Sequence, residues 1–85
     1  MSEEPRLDVL LHWLCVSKSR SQAAHWCREG KVFVDGTLAK PSLILRAGQK
    51  LEIRAMEHPL RLEILEIPTR AVARAQREKF MKLLS

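Results

Sequence analysis

Ser17, Lys18, Ser19, Arg20, Ser21 and Gln22 bring hydroxyls, two cations and an amide into six consecutive positions. Such side chains donate hydrogen bonds and carry positive charge, so the chemistry they serve is the capture of an anion. Ser19 followed three residues later by Gln22 is also a capping-box pattern, which starts a helix at this point. A helix start adds unpaired backbone N–H groups and the positive end of the macrodipole, so a phosphate would meet several convergent donors there. The plainer alternative is that Ser19 only caps the helix and both cations are solvated. His12, Cys15, His25 and Cys27 are the other chemically capable residues. Their HxxC and HxC spacings are not zinc patterns, and an i, i+2 pair points to different helix faces, so no metal is expected. A catalytic cysteine needs a positioned base and a cleft, and neither is evident. The chain also lacks a glycine-rich phosphate loop, an HExxH motif and a plausible Ser-His-Asp set. A binding protein that is not an enzyme and uses no cofactor is expected.

The elements that must position these residues belong to a chain of 85 residues, one domain's worth. A domain this small buries only about 60–65% of its unfolded surface, which leaves little room for an enclosed active site. The 46% hydrophobic and 29% charged shares indicate a folded globular chain rather than a disordered one. No apolar run approaches the ~18 residues that cross a bilayer, and MSEEPR at the start is acidic and lacks a signal peptide's apolar stretch. A cytoplasmic protein without membrane contact is expected, and in that compartment Cys15 and Cys27 are not expected to form a disulfide. The net charge of +5 is unevenly spread. Residues 5–46 hold seven Lys/Arg against three acids, residues 47–68 three against four, and residues 69–85 five against one. Two separated basic blocks flank a near-neutral stretch, the footprint of a polyanion binder or simply a solubilising surface.

Leu7, Leu10, Leu11 and Leu14 give residues 6–14 one helical apolar face, and Asp8 suits the first turn. A second helix runs from Ser19 to about Glu29, packs through Ala23, Ala24 and Cys27, and ends at Gly30. Lys31–Val34 is a strand, Asp35-Gly36 a hairpin turn, and Thr37–Ala39 a short return. Lys40-Pro41-Ser42 is a loop, followed by a short extended segment at Leu43–Leu45 and a turn at Ala47–Gln49. Strands follow at Lys50–Ala55 and Leu60–Ile67, the latter with a slip in its alternation at Ile64-Leu65. After Pro68, Thr69 is expected to cap a last helix to about Leu84. On that helix Arg70, Arg74 and Arg77 form a basic stripe.

These pieces, in this order, resemble the RNA-binding domain named after small-subunit ribosomal protein S4. The resemblance rests on RLD at residues 6–8 with Leu11 following, KSRS at 18–21 with Ala23, EGKVFVDG at 29–36, KPS at 40–42, and AGQKLEI at 47–53. It covers about residues 5–55. It implies an α+β fold in which two antiparallel helices pack on a small, bent, antiparallel or mixed sheet, here followed by a C-terminal helix. The expected layout is a tail at 1–5, the RNA-binding domain at 6–67 and the basic helix at 68–85. The RNA contacts implied are Arg6, Lys18, Ser19, Arg20, Ser21, Gln22, Lys31, Lys40 and Ser42. Asp35 departs from the family, where asparagine often precedes the glycine. Either residue makes the turn, but Asp35 puts a negative charge beside the proposed surface and offers no amide for a base contact.

The layout also resembles the family's small stand-alone members, which include a ribosome-binding heat-shock type and a bacterial ribosome-associated quality-control type. That implies binding to rRNA and tRNA on large ribosomal subunits that retain a tRNA-linked nascent chain. A monomer is expected. Binding of structured RNA in ribosome assembly, or a basic protein-interaction module, are the alternatives. Arg70, Arg74 and Arg77 are an ordinary solvated face, a second RNA contact reached from a different side, or a docking surface. Trp13 and Trp26 are expected in the core with their N–H groups at the surface, base stacking being the other reading. Phe33 is expected to pack under the final helix, or else to stack on RNA.

Overall fold

Leucines at helical spacing make α1 (Leu7–Trp13), which with its cap Leu14 buries Leu7, Leu10, Leu11 and Leu14 completely. The computed structural model describes residues 5–84; residues 1–4 of the expected tail, and Ser85, lie outside the described residues. Ser19 starts α2 (Arg20–Arg28), its hydroxyl oxygen accepting the Gln22 N–H at 3.0 Å. The Gln22 side chain reaches back to the N–H of Lys18 at 2.8 Å, one residue before the usual capping-box partner.

Both helices end in the same way. Gly30 has φ +73, its N–H donates to the Cys27 carbonyl, and the Lys31 N–H donates to Trp26. Cys15 has φ +61, its N–H donates to His12, and the Val16 N–H donates to Leu11. Each is a Schellman motif, which satisfies carbonyls left over at a helix end. Glycine takes the left-handed position freely, whereas for an ordinary L-residue it costs roughly 1–2 kcal/mol. The turn after α1 therefore holds Cys15 in a conformation that its surroundings must sustain.

The strands are β1 (Val32–Val34), β2 (Thr37–Leu38), β3 (Lys50–Ile53), β4 (Leu60–Ile64) and β5 (Met81–Leu83). They form one sheet in the order β2-β1-β3-β4-β5, with every pairing antiparallel. Asp35 and Gly36, at φ +50 and +81, make the expected two-residue hairpin loop. Val32, Val34, Leu51, Ile53, Leu62, Ile64 and Met81 join the leucines of α1 and Ala23 and Cys27 of α2 in a single core. This is the α+β fold expected, two helices on a small antiparallel sheet. No described helix is long and apolar enough to cross a membrane.

The C-terminal region differs from expectation. Residues 69–73 are irregular, Arg74–Lys79 form a 3-10 helix, and β5 pairs with β4 through Leu62–Leu83, Glu63–Lys82 and Ile64–Met81. The composition of the segment favours an α-helix, but one turning through Val72 would bring Gln76 and Lys79 round to the same side. As a strand, the segment buries Met81 and satisfies the backbone of β4. Phe33 consequently has no helix above it. It lies half-buried across from Glu52, with the Arg54 guanidinium 4.6 Å from its ring centre. Glu52 accepts hydrogen bonds from Arg54 and Arg61, which hold its carboxyl below the usual range.

Candidate nucleic-acid interface

The N-terminal turn of α1 is closed from outside. The N–H groups of Leu7 and Asp8 donate to the carbonyls of Leu43 and Pro41 at 2.7 and 3.2 Å, and Arg6 bridges to Ile44. The KPS loop is thereby fixed beside the start of the helix. Asp8, only 2% exposed, organises this corner. Its Oδ1 accepts the Val9 N–H at 2.8 Å, and its Oδ2 accepts from Arg6 Nη2 at 3.1 Å and Arg20 Nε at 3.4 Å. One buried carboxylate thus sets two half-exposed guanidinium groups side by side, one from the N-cap of α1 and one from the first residue of α2. Arg20 makes this contact through Nε, which leaves its terminal nitrogens without a partner among the described residues. Those nitrogens have the geometry that grips phosphate bidentately. From the sequence Asp8 is only a first-turn acid; its pairing with Arg20, twelve residues away, has no local signal.

Lys18 is exposed at the start of α2, next to the half-buried Ser19 and exposed Ser21. Ser19 uses its hydroxyl oxygen as the cap and keeps its O–H available as a donor, and Gln22 likewise keeps its amide N–H groups after accepting from Lys18. Lys40 and Ser42 line a groove of about 520 Å³ against the β1–β2 hairpin. Arg6, Arg20 and the KPS loop are therefore brought together, with the α2 start adjoining Arg20. Lys31 is not tied to them: its ammonium is 3.7 Å from Glu29, which also takes a 2.7 Å contact from His25.

The three C-terminal arginines do not form a stripe, because no α-helix carries them. Arg70 lines a groove with Glu66, Pro68 and Gln76. Arg77 is half-buried and donates to the Cys15 carbonyl at 3.4 Å. Arg74 shares a groove with Lys18, so part of the second basic block adjoins the first instead of facing a different side.

Among the described residues no three metal-ligating side chains converge. Burial, reinforced by the Asp8 carboxylate and slightly opposed by Arg28, pushes the Cys27 thiol up to about 11. Its neutral form is the one the fold favours. The resulting stabilisation is complete below the ordinary thiol range and is lost as pH rises through about 11. Cys15 is half-exposed. Iodoacetamide at about pH 8 is expected to alkylate Cys15 in the native protein and Cys27 only after unfolding. Peptide mapping that finds both labelled at one rate would contradict this placement. Trp26 packs against the core as expected, while Trp13 stays half-buried, its carbonyl accepting the Val72 N–H at 3.0 Å.

Two short helices on an antiparallel sheet, with a cationic corner at the start of both, define the class. The chain belongs to the S4 domain family, whose model matches residues 5–51, and S4 domains bind RNA. Among solved structures it is similar to the trimeric Heat Shock Protein 15 of Vibrio cholerae. The TM-score is 0.89 and the identity 26%, over 98% of this chain and 84% of that one. It is also similar to the hypothetical protein HP1423, solved in solution, at TM-score 0.82 and 26% identity over 95% of this chain and 98% of that one. No curated protein matches the chain.

Proposed function

We propose that this protein is a non-catalytic RNA-binding protein of the cytoplasm that docks on the large ribosomal subunit when a peptidyl-tRNA is stranded there. It contacts ribosomal RNA and tRNA and holds one tRNA position in place, a role in ribosome-associated quality control or recycling. The observation that supports it most is the pair of guanidinium groups aligned by Asp8 beside the Ser19-capped start of α2. Charge-assisted donors from two helices and a loop meet there on a rigid frame, which suits a folded phosphate backbone better than an extended strand. The ribosomal assignment rests on resemblance to the small stand-alone family members. Sedimentation of cell extract tests it. The protein is expected with large subunits, more so when translation is stalled, and free of them at high salt. Recovery at the top of the gradient in both conditions would leave general RNA binding and remove the ribosomal role.

A further inference from the structure

We propose that the groove between the end of α1 and the Arg74–Lys79 turn is a second contact for the RNA phosphate backbone, built by docking of the C-terminal segment. The proposal rests on the RNA-binding reading above. Three hydrogen bonds join the segment to α1. Val72 N–H donates to the Trp13 carbonyl at 3.0 Å, Cys15 Sγ to the Val72 carbonyl at 3.4 Å, and Arg77 Nη1 to the Cys15 carbonyl at 3.4 Å. All three fall on the turn in which Cys15 holds its left-handed conformation. Arg77 thus sets its positive charge near the negative end of α1, through one hydrogen bond to the Cys15 carbonyl.

A 3-10 helix has three residues per turn, so Arg74 lies directly above Arg77, against the same end of α1. There it lines an open groove of about 440 Å³ with His12, Cys15, Val16, Ser17 and Lys18. No carboxylate lines this groove. Among the described residues neither Lys18 nor Arg74 has an acidic partner, whereas Arg6 and Arg20 at the neighbouring corner share Asp8. Two unpaired cations facing one groove repel each other until an anion enters between them. Lys18 also belongs to the α2 start. A strand held by Arg20 can therefore pass Lys18 and continue to Arg74, so that the two basic blocks grip one run of backbone. Lys18 and Arg74 meet the backbone as charges, so the contact is expected to be indifferent to sequence.

The test measures affinity of the full chain for labelled RNA hairpins of different sequence over a range of salt. Arg74→Ala is expected to weaken binding about five- to ten-fold for every hairpin, and to reduce the log–log salt slope by about 1. Arg70→Ala, outside the groove, is expected to stay within about two-fold. Arg77→Ala is expected to lose as much affinity as Arg74→Ala; if it fails to fold, the exposed Arg74 variant still decides. Unchanged hairpin binding by Arg74→Ala, with Arg20→Ala weakened, overturns the groove and leaves the RNA-binding reading standing. Loss of ribosome association without loss of hairpin affinity assigns the groove to a protein and also overturns it. A flat salt response of the unaltered chain removes both.

Discussion

Alanine at both Lys18 and Arg20 is expected to weaken binding to structured RNA by about 2–4 kcal/mol, each contributing a charge-assisted contact of roughly 1–2 kcal/mol. The unaltered protein is expected to neutralise about four to six phosphates, giving a log–log salt slope near −3 to −5, and the double variant to lose about 2 of that slope. Neither residue enters the core, and Arg20 is one of two guanidinium partners of Asp8, so the fold survives. Fluorescence anisotropy against salt, with a melting curve as control, reads both quantities. Normal binding by this variant, together with failure of an Arg70/Arg74 variant, would move the interface to the C-terminal segment.

Asp8→Ala is expected to cost about 2–3 kcal/mol of stability, because a buried carboxylate that closes a helix turn and pairs two cations is lost at once. In a domain of this size that lowers the melting temperature by roughly 10–20 °C. Asp8→Asn is expected to recover part of the loss, since an amide oxygen still accepts the Val9 N–H. Because no phosphate ligand is removed, the salt slope for RNA is expected to hold in the cold. Thermal melting of the two variants checks the order. A melting temperature unchanged in Asp8→Ala would mean that its contacts with Val9, Arg6 and Arg20 add nothing net to stability.

Features written in neighbouring residues were legible in the sequence. Ser19 and Gln22 cap within one turn, Asp35-Gly36 closes a two-residue hairpin, and Gly30 is the usual left-handed residue after a helix. Cys15 occupies the equivalent position after α1 and was invisible, because the signal for that conformation is glycine or asparagine. The Asp8–Arg20 pair joins two helices and has no spacing rule behind it. At the C-terminus local preference pointed to an α-helix, and the unmet backbone of β4 decided otherwise. The candidate contacts were thus individually readable, but their grouping was not: Arg6 joins Arg20 through a buried acid, and Arg74 joins Lys18 through a segment that had to be folded first.

β5 has a further effect on the solubility of the chain. A sheet's outermost strands present unpaired N–H and C=O groups that can recruit other molecules into aggregates. Here the two edges are β2, with two residues, and β5, with three residues and Lys82 at its centre. Both are too short to template further pairing, and one carries a charge that opposes it. A chain cut after Ile67 loses that protection. Its edge becomes β4, five residues long, with Leu62 and Ile64 on one face and a full row of open hydrogen-bonding groups. The last residues of this protein are therefore expected to shield the edge of β4 from such pairing.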